Sequence, residues 1–246
     1  HSLCVTTRGA VYAWGSNRFG QLDGRSSGTC GSSSLPRRVA DLHQHPCVAV
    51  AAGAQHSVAL SKLGEVFVWG DNSAGKLGVP PRSGTSIYKV QRVEGLWSSS
   101  SSASSTPKVA IAIAAAEHST LALIGANSSS GMTQVNTVYE FGHGNHVPIR
   151  IHFDASSTTA GAKYSTPSVS FSSRGQRRVN PTGIACARYH NAAITSEGFV
   201  YTWGLRAESL GRDNKNQQRR NSVPQLVTGM LPEQGGGLAV AIAASD

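Results

Sequence analysis

The stretch Gly64-Glu65-Val66-Phe67-Val68-Trp69-Gly70-Asp71-Asn72-Ser73-Ala74-Gly75-Lys76-Leu77-Gly78 recurs in weakened form along the chain, and this recurrence restricts the fold more than any other feature. Val66 and Val68 alternate with Phe67 and Trp69, so an extended segment here carries apolar groups on both faces, as a strand covered on both sides requires. Gly64 stands where a hairpin needs a positive φ, and the run 70–78 mixes Gly, Asn, Asp and Ser, the residues of tight turns. The stretch reads as one strand punctuated at both ends.

Copies occur at Gly9-Ala10-Val11-Tyr12-Ala13-Trp14-Gly15, which continues to Gly20-Gln21-Leu22, and at Gly198-Phe199-Val200-Tyr201-Thr202-Trp203-Gly204, which continues to Ser209-Leu210-Gly211. A worn copy, Asn136-Thr137-Val138-Tyr139-Glu140-Phe141-Gly142, has Phe141 in the Trp position and no Gly-Gln-Leu turn behind it. An Ala-rich element precedes each of the later copies: 48–60 with His56, 111–123 with His118 and 184–194 with His190. His1 to Trp14, His56 to Trp69 and His190 to Trp203 share one spacing, while His118 to Phe141 is longer by an insert around Ser128-Ser129-Ser130-Gly131. A further element follows at Pro36-Arg37-Arg38-Val39, Pro148-Ile149-Arg150-Ile151 and Pro224-Gln225-Leu226-Val227, with Ile87 in the Pro place before Val90 in the second unit. Each unit thus holds about four strand candidates, the first lacking the Ala-Ala-Gly strand because the sequence opens at His1-Ser2-Leu3.

Repeats of this length with several strands each point to a propeller or a solenoid. In a propeller the strand nearest the axis is crowded by its counterparts and needs small residues, as Ala51-Ala52-Gly53 and Ala114-Ala115-Ala116 supply. The expected fold class is all-β: a partial β-propeller of four-stranded antiparallel blades in one domain. Its units run 1–47, 48–110 with a Ser-rich insert at 98–105, 111–183 with inserts at 126–134 and 154–178, and 184–239, with the start of another unit at 240–246.

The combination Ala-Ala-Gly-x-x-His-Ser, Gly-x-Val-Phe-x-Trp-Gly and Asn-x-x-Gly-x-Leu-Gly, clearest at 51–78, resembles the repeat of the regulator of chromosome condensation family. The resemblance implies a ring of seven four-stranded blades, of which four units would make a part. It also implies two kinds of activity. Many members are interaction scaffolds within larger regulatory or ubiquitin-ligase-adaptor proteins; the founding member exchanges nucleotide on a Ran-like small GTPase through a protruding wedge, and no residue of such a wedge maps onto this chain. The third unit, where Phe141-Gly142-His143-Gly144 runs almost directly into Val147-Pro148-Ile149-Arg150, also resembles the ankyrin, propeller and BTB proteins similar to the inhibitor of Bruton tyrosine kinase.

The residues themselves nominate no chemistry. His143, His146, His43 and His45 have no Cys or carboxylate at ligand spacing, so neither a metal nor another cofactor is expected. The repeated His1, His56, His118 and His190 are architectural on this reading, each hydrogen-bonding a neighbouring turn, because catalysis is asymmetric and does not need one copy per blade. Gly235-Gly236-Gly237 lacks the Lys-Ser of a phosphate loop. The expectation is a non-enzyme.

Formal charge is +9, concentrated in clusters that fall between strands: Arg174, Arg177 and Arg178, then Lys215, Arg219 and Arg220. These six are the candidate partner-binding residues. A basic surface suits nucleic acid, anionic lipid or an acidic protein, but no aromatic residues interleave the clusters as a single-strand platform needs, which leaves a protein partner. Cys4, Cys30, Cys47 and Cys186 lack paired spacing and fit reduced, buried thiols of an intracellular protein, cytoplasmic or nuclear. No stretch is apolar for long enough to cross a bilayer.

Overall fold

The structure is a computed structural model that describes residues 1–23, 31–80, 86–96, 108–126, 135–153, 179–212, 222–230 and 237–245. Four antiparallel sheets follow one another along the chain, each a simple meander. The first has three strands, β1 (Ser2–Val5), β2 (Val11–Gly15) and β3 (Ser33–Arg38). The second comprises β4 (Cys47–Ala52), β5 (His56–Ser61), β6 (Val66–Asp71) and β7 (Ser86–Arg92). The third comprises β8 (Lys108–Ala115), β9 (Ser119–Ala126), β10 (Thr137–Gly142) and β11 (Asn145–Ile151). The fourth comprises β12 (Pro181–Cys186), β13 (His190–Thr195), β14 (Val200–Gly204) and β15 (Gln225–Leu226). Among the described residues helix is confined to short 3-10 turns such as Ser73–Gly75, and no helix is long and apolar enough to cross a membrane.

This is a partial propeller. The initial strands β4, β8 and β12 approach one another, and each sheet buries a face against the next. Val11, Leu22 and Val39 pack with Phe67 and Trp69 between the first two sheets; Val58, Val66 and Leu77 pack with Ala122 and Phe141 between the second and third; Leu121 and Val138 pack with Ala193 and Trp203 between the third and fourth. Val11, Val66, Val138 and Val200 occupy one register position, opposite Val5, Leu60, Leu123 and Ile194.

The hairpin glycine is a joint between sheets as well as a turn. Gly9, Gly64 and Gly198 have φ of 86°, 77° and 77°, and their carbonyls accept the N–H of Cys47, Ala110 and Ala239 at 2.9, 3.0 and 3.0 Å. A Cβ on Gly64 would lie 2.4 Å from the Val109 Cβ, so both backbone angle and close approach demand glycine. Asn136 fills this place in the third unit. Its N–H donates to Asn180 Oδ1 at 2.8 Å and its Nδ2 to the Pro181 carbonyl at 2.9 Å. Residues 237–245 carry the pattern on beside the fourth sheet, Ile242 packing towards it while Val240 stands 91% exposed.

Four expectations need correction. His118 is not the counterpart of His56: His56 pairs with Gly70, but it is Ser119 that pairs with Gly142, so His118 sits one residue earlier, in the turn. The second unit's fourth strand is registered on Val93, which donates to the Val66 carbonyl as Val39 does to Val11, so Val90 takes the Pro36 place and Ile87 lies further up the strand. Trp14 is half-buried, whereas Trp69 and Trp203 are buried, because Trp69 and Trp203 insert against a preceding sheet and Trp14 has none among the described residues. Cys4 is exposed, since Leu3 and Val5 take the covered face of β1 and Cys4 points the other way; Cys47 is buried, Cys186 half-buried, and Cys30 lies outside the described residues.

Trp69→Ala should therefore cost about 3–5 kcal/mol of unfolding free energy, and Trp14→Ala less than half as much, read from paired urea melts of the full-length protein.

Candidate functional site

The junctions between sheets use the repeated polar residues. His1 Nε2 lies 2.9 Å from Ser57 Oγ, and that hydroxyl donates at 2.6 Å to the Gln21 carbonyl, which also accepts Trp69 Nε1–H at 2.9 Å. At the next junction His56 Nε2 lies 2.8 Å from Thr120 Oγ1, which donates at 2.8 Å to the Lys76 carbonyl. A hydroxyl that gives its one proton to a carbonyl must accept from the imidazole, so Nε2 carries the ring proton and Nδ1 is bare. Among the described residues neither His1 Nδ1 nor His56 Nδ1 has a partner, as that tautomer allows. Gly53 is what admits the ring: a Cβ there would lie 2.3 Å from His56 Cε1 and 2.4 Å from the Ala116 carbonyl. Ala116 takes the Gly53 place in the third unit, where Ser119 has replaced the imidazole.

The turn that offers the shared carbonyl is closed by its asparagine. Asn17 Oδ1 accepts the Leu22 N–H at 2.9 Å, and Asn72 Oδ1 accepts the Leu77 N–H at 3.1 Å. In the second unit the turn also contains a buried ion pair that the sequence reading missed, Lys76 Nζ to Asp71 Oδ2 at 2.6 Å, with Nζ 3.2 Å from the Glu117 carbonyl. Burial would raise the Asp71 pKa, but hydrogen bonds from Lys76 and Ser73 and the lysine charge outweigh it and hold the carboxyl below its ordinary value. The corresponding positions of the first unit are Ser16 and Gln21, a neutral set; the change to Asp and Lys together was the available signal.

The third unit lacks this turn. β10 and β11 are joined through His143 and Gly144, with φ of 51° and 93°, a tight hairpin whose Gly144 N–H donates to the Ala74 carbonyl at 2.8 Å. Glu140 supplies the missing acceptor: its Oε2 takes Trp203 Nε1–H and its Oε1 takes Asn191 Nδ2–H, each at 2.9 Å. Asn191 stands in the Ser57 register and Trp203 in the Trp69 register, so one carboxylate does for this junction what a backbone carbonyl does for the first. His118 and His143 gather beside it, His118 3.5 Å from Glu117 and His143 3.8 Å from Glu140. Among the described residues no three His, Cys, Asp or Glu side chains converge as a metal site would need.

The candidate partner-binding residues Arg174, Arg177, Arg178, Lys215, Arg219 and Arg220 all lie outside the described residues.

Comparison with known proteins agrees with this geometry. Residues 8–60 match the Regulator of chromosome condensation (RCC1) repeat, and residues 47–76 match a second description of the same repeat. The chain carries RCC1 repeats. It is 27% identical over 237 residues to human Probable E3 ubiquitin-protein ligase HERC6, an alignment covering 95% of this chain and 20% of that protein. Among solved structures, human WBSCR16 superposes with a TM-score of 0.68 at 20% identity, covering 99% of this chain and 53% of that one. Prp20p from Saccharomyces cerevisiae gives 0.61 at 19% identity, covering 92% and 49%. The RCC1 repeats here thus span about a fifth of that ligase and about half of each propeller.

Two predictions follow from the junctions. Burial, with the Lys76 charge second, pulls His56 from 6.5 down to about 3, so between these values the unfolded chain holds a proton that the folded one lacks. Stability contributed by His56 is complete above pH 6.5 and falls by about 1.4 kcal/mol per pH unit below it; between pH 7 and 5 the loss should be about 2 kcal/mol greater for the wild type than for His56→Gln in urea titrations. Glu140→Ala strands two donors and should cost about 1–3 kcal/mol, with Glu140→Gln milder because one acceptor remains.

Proposed function

We propose that this RCC1-repeat chain is a protein-interaction module, a rigid propeller segment that presents loop residues to a protein partner inside a larger regulatory or ubiquitin-ligase-adaptor protein. The observation that carries the reading is the engagement of the repeated polar side chains. His56, Ser57, Trp69 and Thr120 are buried and bonded across junctions, so the positions that recur are architectural and recognition is left to the residues that do not recur. Similarity to a probable E3 ubiquitin-protein ligase over a fifth of its length supports the adaptor setting.

On this reading Arg174, Arg177 and Arg178, with Lys215, Arg219 and Arg220, are recognition residues, and their charge steers an acidic partner. The module works inside the cell, in cytoplasm or nucleus. The alternative is nucleotide exchange on a Ran-like small GTPase; binding to Gsp1p and histones is described for Prp20p, whose likeness to this chain is one of fold.

Replacing Arg174, Arg177 and Arg178 by Glu in the full-length protein should slow capture of its acidic partner at low salt by tenfold or more while leaving the melting temperature unchanged. Stimulated nucleotide release from a Ran-like GTPase by the purified full-length protein would replace the scaffold reading with exchange.

A further inference from the structure

Four departures from the repeat pattern meet at one place. The turn between β12 and β13 carries Arg188-Tyr189 where the second sheet has Ala54-Gln55. After Gly204 come Leu205-Arg206, where the first two units have Ser16-Asn17 and Asp71-Asn72. The Leu205 N–H donates to the Tyr189 carbonyl at 2.7 Å, just as Asp71 donates to Gln55 at 2.9 Å, so the ordinary architecture of the repeat places the two altered turns side by side.

Arg206 has no architectural task in this position. Asn17 and Asn72 close their turns by accepting a hydrogen bond, which a guanidinium cannot do. The fourth turn is closed by other groups: Thr202 Oγ1 donates to the Leu210 carbonyl at 2.7 Å and Arg212 Nη2 to the Thr202 carbonyl at 3.1 Å. The Arg206 guanidinium instead lies 4.0 Å from the centroid of the Tyr189 ring, and Arg188 lies 5.0 Å from the same ring. Arg188 also meets Glu117 at 2.8 Å; Arg206 has no carboxylate within ion-pair distance among the described residues. Leu205 beside them is 69% exposed.

We propose that Arg188, Tyr189, Leu205 and Arg206 form a docking site for an acidic protein segment that carries an apolar side chain. Carboxylates would bridge to the guanidiniums in forked geometry, and the apolar side chain would cover Leu205. Arg and Tyr are the residue types that dominate binding energy at interfaces, and a guanidinium already held on a ring loses less freedom when its partner arrives. A single-stranded nucleic acid suits the place less well: Arg206 occupies the ring face on which a base would stack, and Leu205 offers no stacking surface. The proposal deepens the interaction-module reading and rests on it.

The test uses the full-length protein and a fluorescent peptide of Glu and Asp around a central Leu-Phe, followed by anisotropy. Saturable binding is expected, weakened tenfold or more by Arg206→Ala and several-fold by Leu205→Ala or by Ala-Ala in place of Leu-Phe. Arg8→Ala, in the β1–β2 turn at the opposite end of the sheets, should change nothing. Absence of saturable binding, equal loss in Arg8→Ala, or tighter, Arg206-dependent binding of an oligo-dT would overturn the site. A photo-crosslinking residue placed in turn at 205 and at exposed Leu63, in the β5–β6 hairpin, separates the two readings. Crosslinks from 205 that the acidic peptide competes away support the site. Crosslinks from 63 alone overturn it and keep the module; none from either position overturns both.

Discussion

The second and third sheets of this protein are each completed by the sheet before it, through a carbonyl in the preceding turn. The Gln21 carbonyl accepts both the Ser57 hydroxyl and the Trp69 indole, and the Lys76 carbonyl accepts the Thr120 hydroxyl. A buried donor without an acceptor costs about 1–3 kcal/mol, so the indole and hydroxyl of one sheet bury favourably only where the turn of its predecessor is formed. The imidazole at His1 or His56 closes the arrangement from the other direction by donating to the same hydroxyl. Turn, strand and ring are therefore constrained together at these two junctions.

The third unit shows that the constraint concerns the acceptor and not the turn that provides it. With the long turn replaced by the His143-Gly144 hairpin, the Glu140 carboxylate accepts from Asn191 and Trp203. A carboxylate has two oxygens and can serve two donors at once, so the junction stays satisfied while the rim of the sheet is shortened. At the fourth unit a different relaxation occurs. Closure by Thr202 and Arg212 takes over from the turn asparagine, and the position it occupied becomes available to Arg206. Departures from the repeat are thus tolerated where the hydrogen-bond accounting can be met by other groups, and those are the places where surface chemistry varies.

Strand order, antiparallel pairing and the equivalence of Val11, Val66, Val138 and Val200 were legible because alternation and hairpin glycines are local signals with a fixed period. Register within worn repeats was not. His118 matches the motif by residue type, yet Ser119 holds the position, since pairing to β10 fixes the register and the spacing across an insert does not. Val93 against Val90 is the same kind of slip, at a strand whose beginning carries no punctuating proline. The role of Glu140 was out of reach because its two partners lie 51 and 63 residues away and belong to another sheet. The basic residues singled out from charge, from Arg174 to Arg220, fall outside the described residues, whereas Arg188 and Arg206 were passed over because neither belongs to a charge cluster.

The most direct test of interdependence between sheets is a double-mutant cycle joining His56 and Thr120, which contact only across the second junction. His56→Ala, Thr120→Val and the double variant, compared by urea unfolding at pH 7, should show a coupling energy of at least about 1 kcal/mol, beyond the roughly 0.3–0.5 kcal/mol within which independent sites add. Additive effects of the two substitutions would contradict the account.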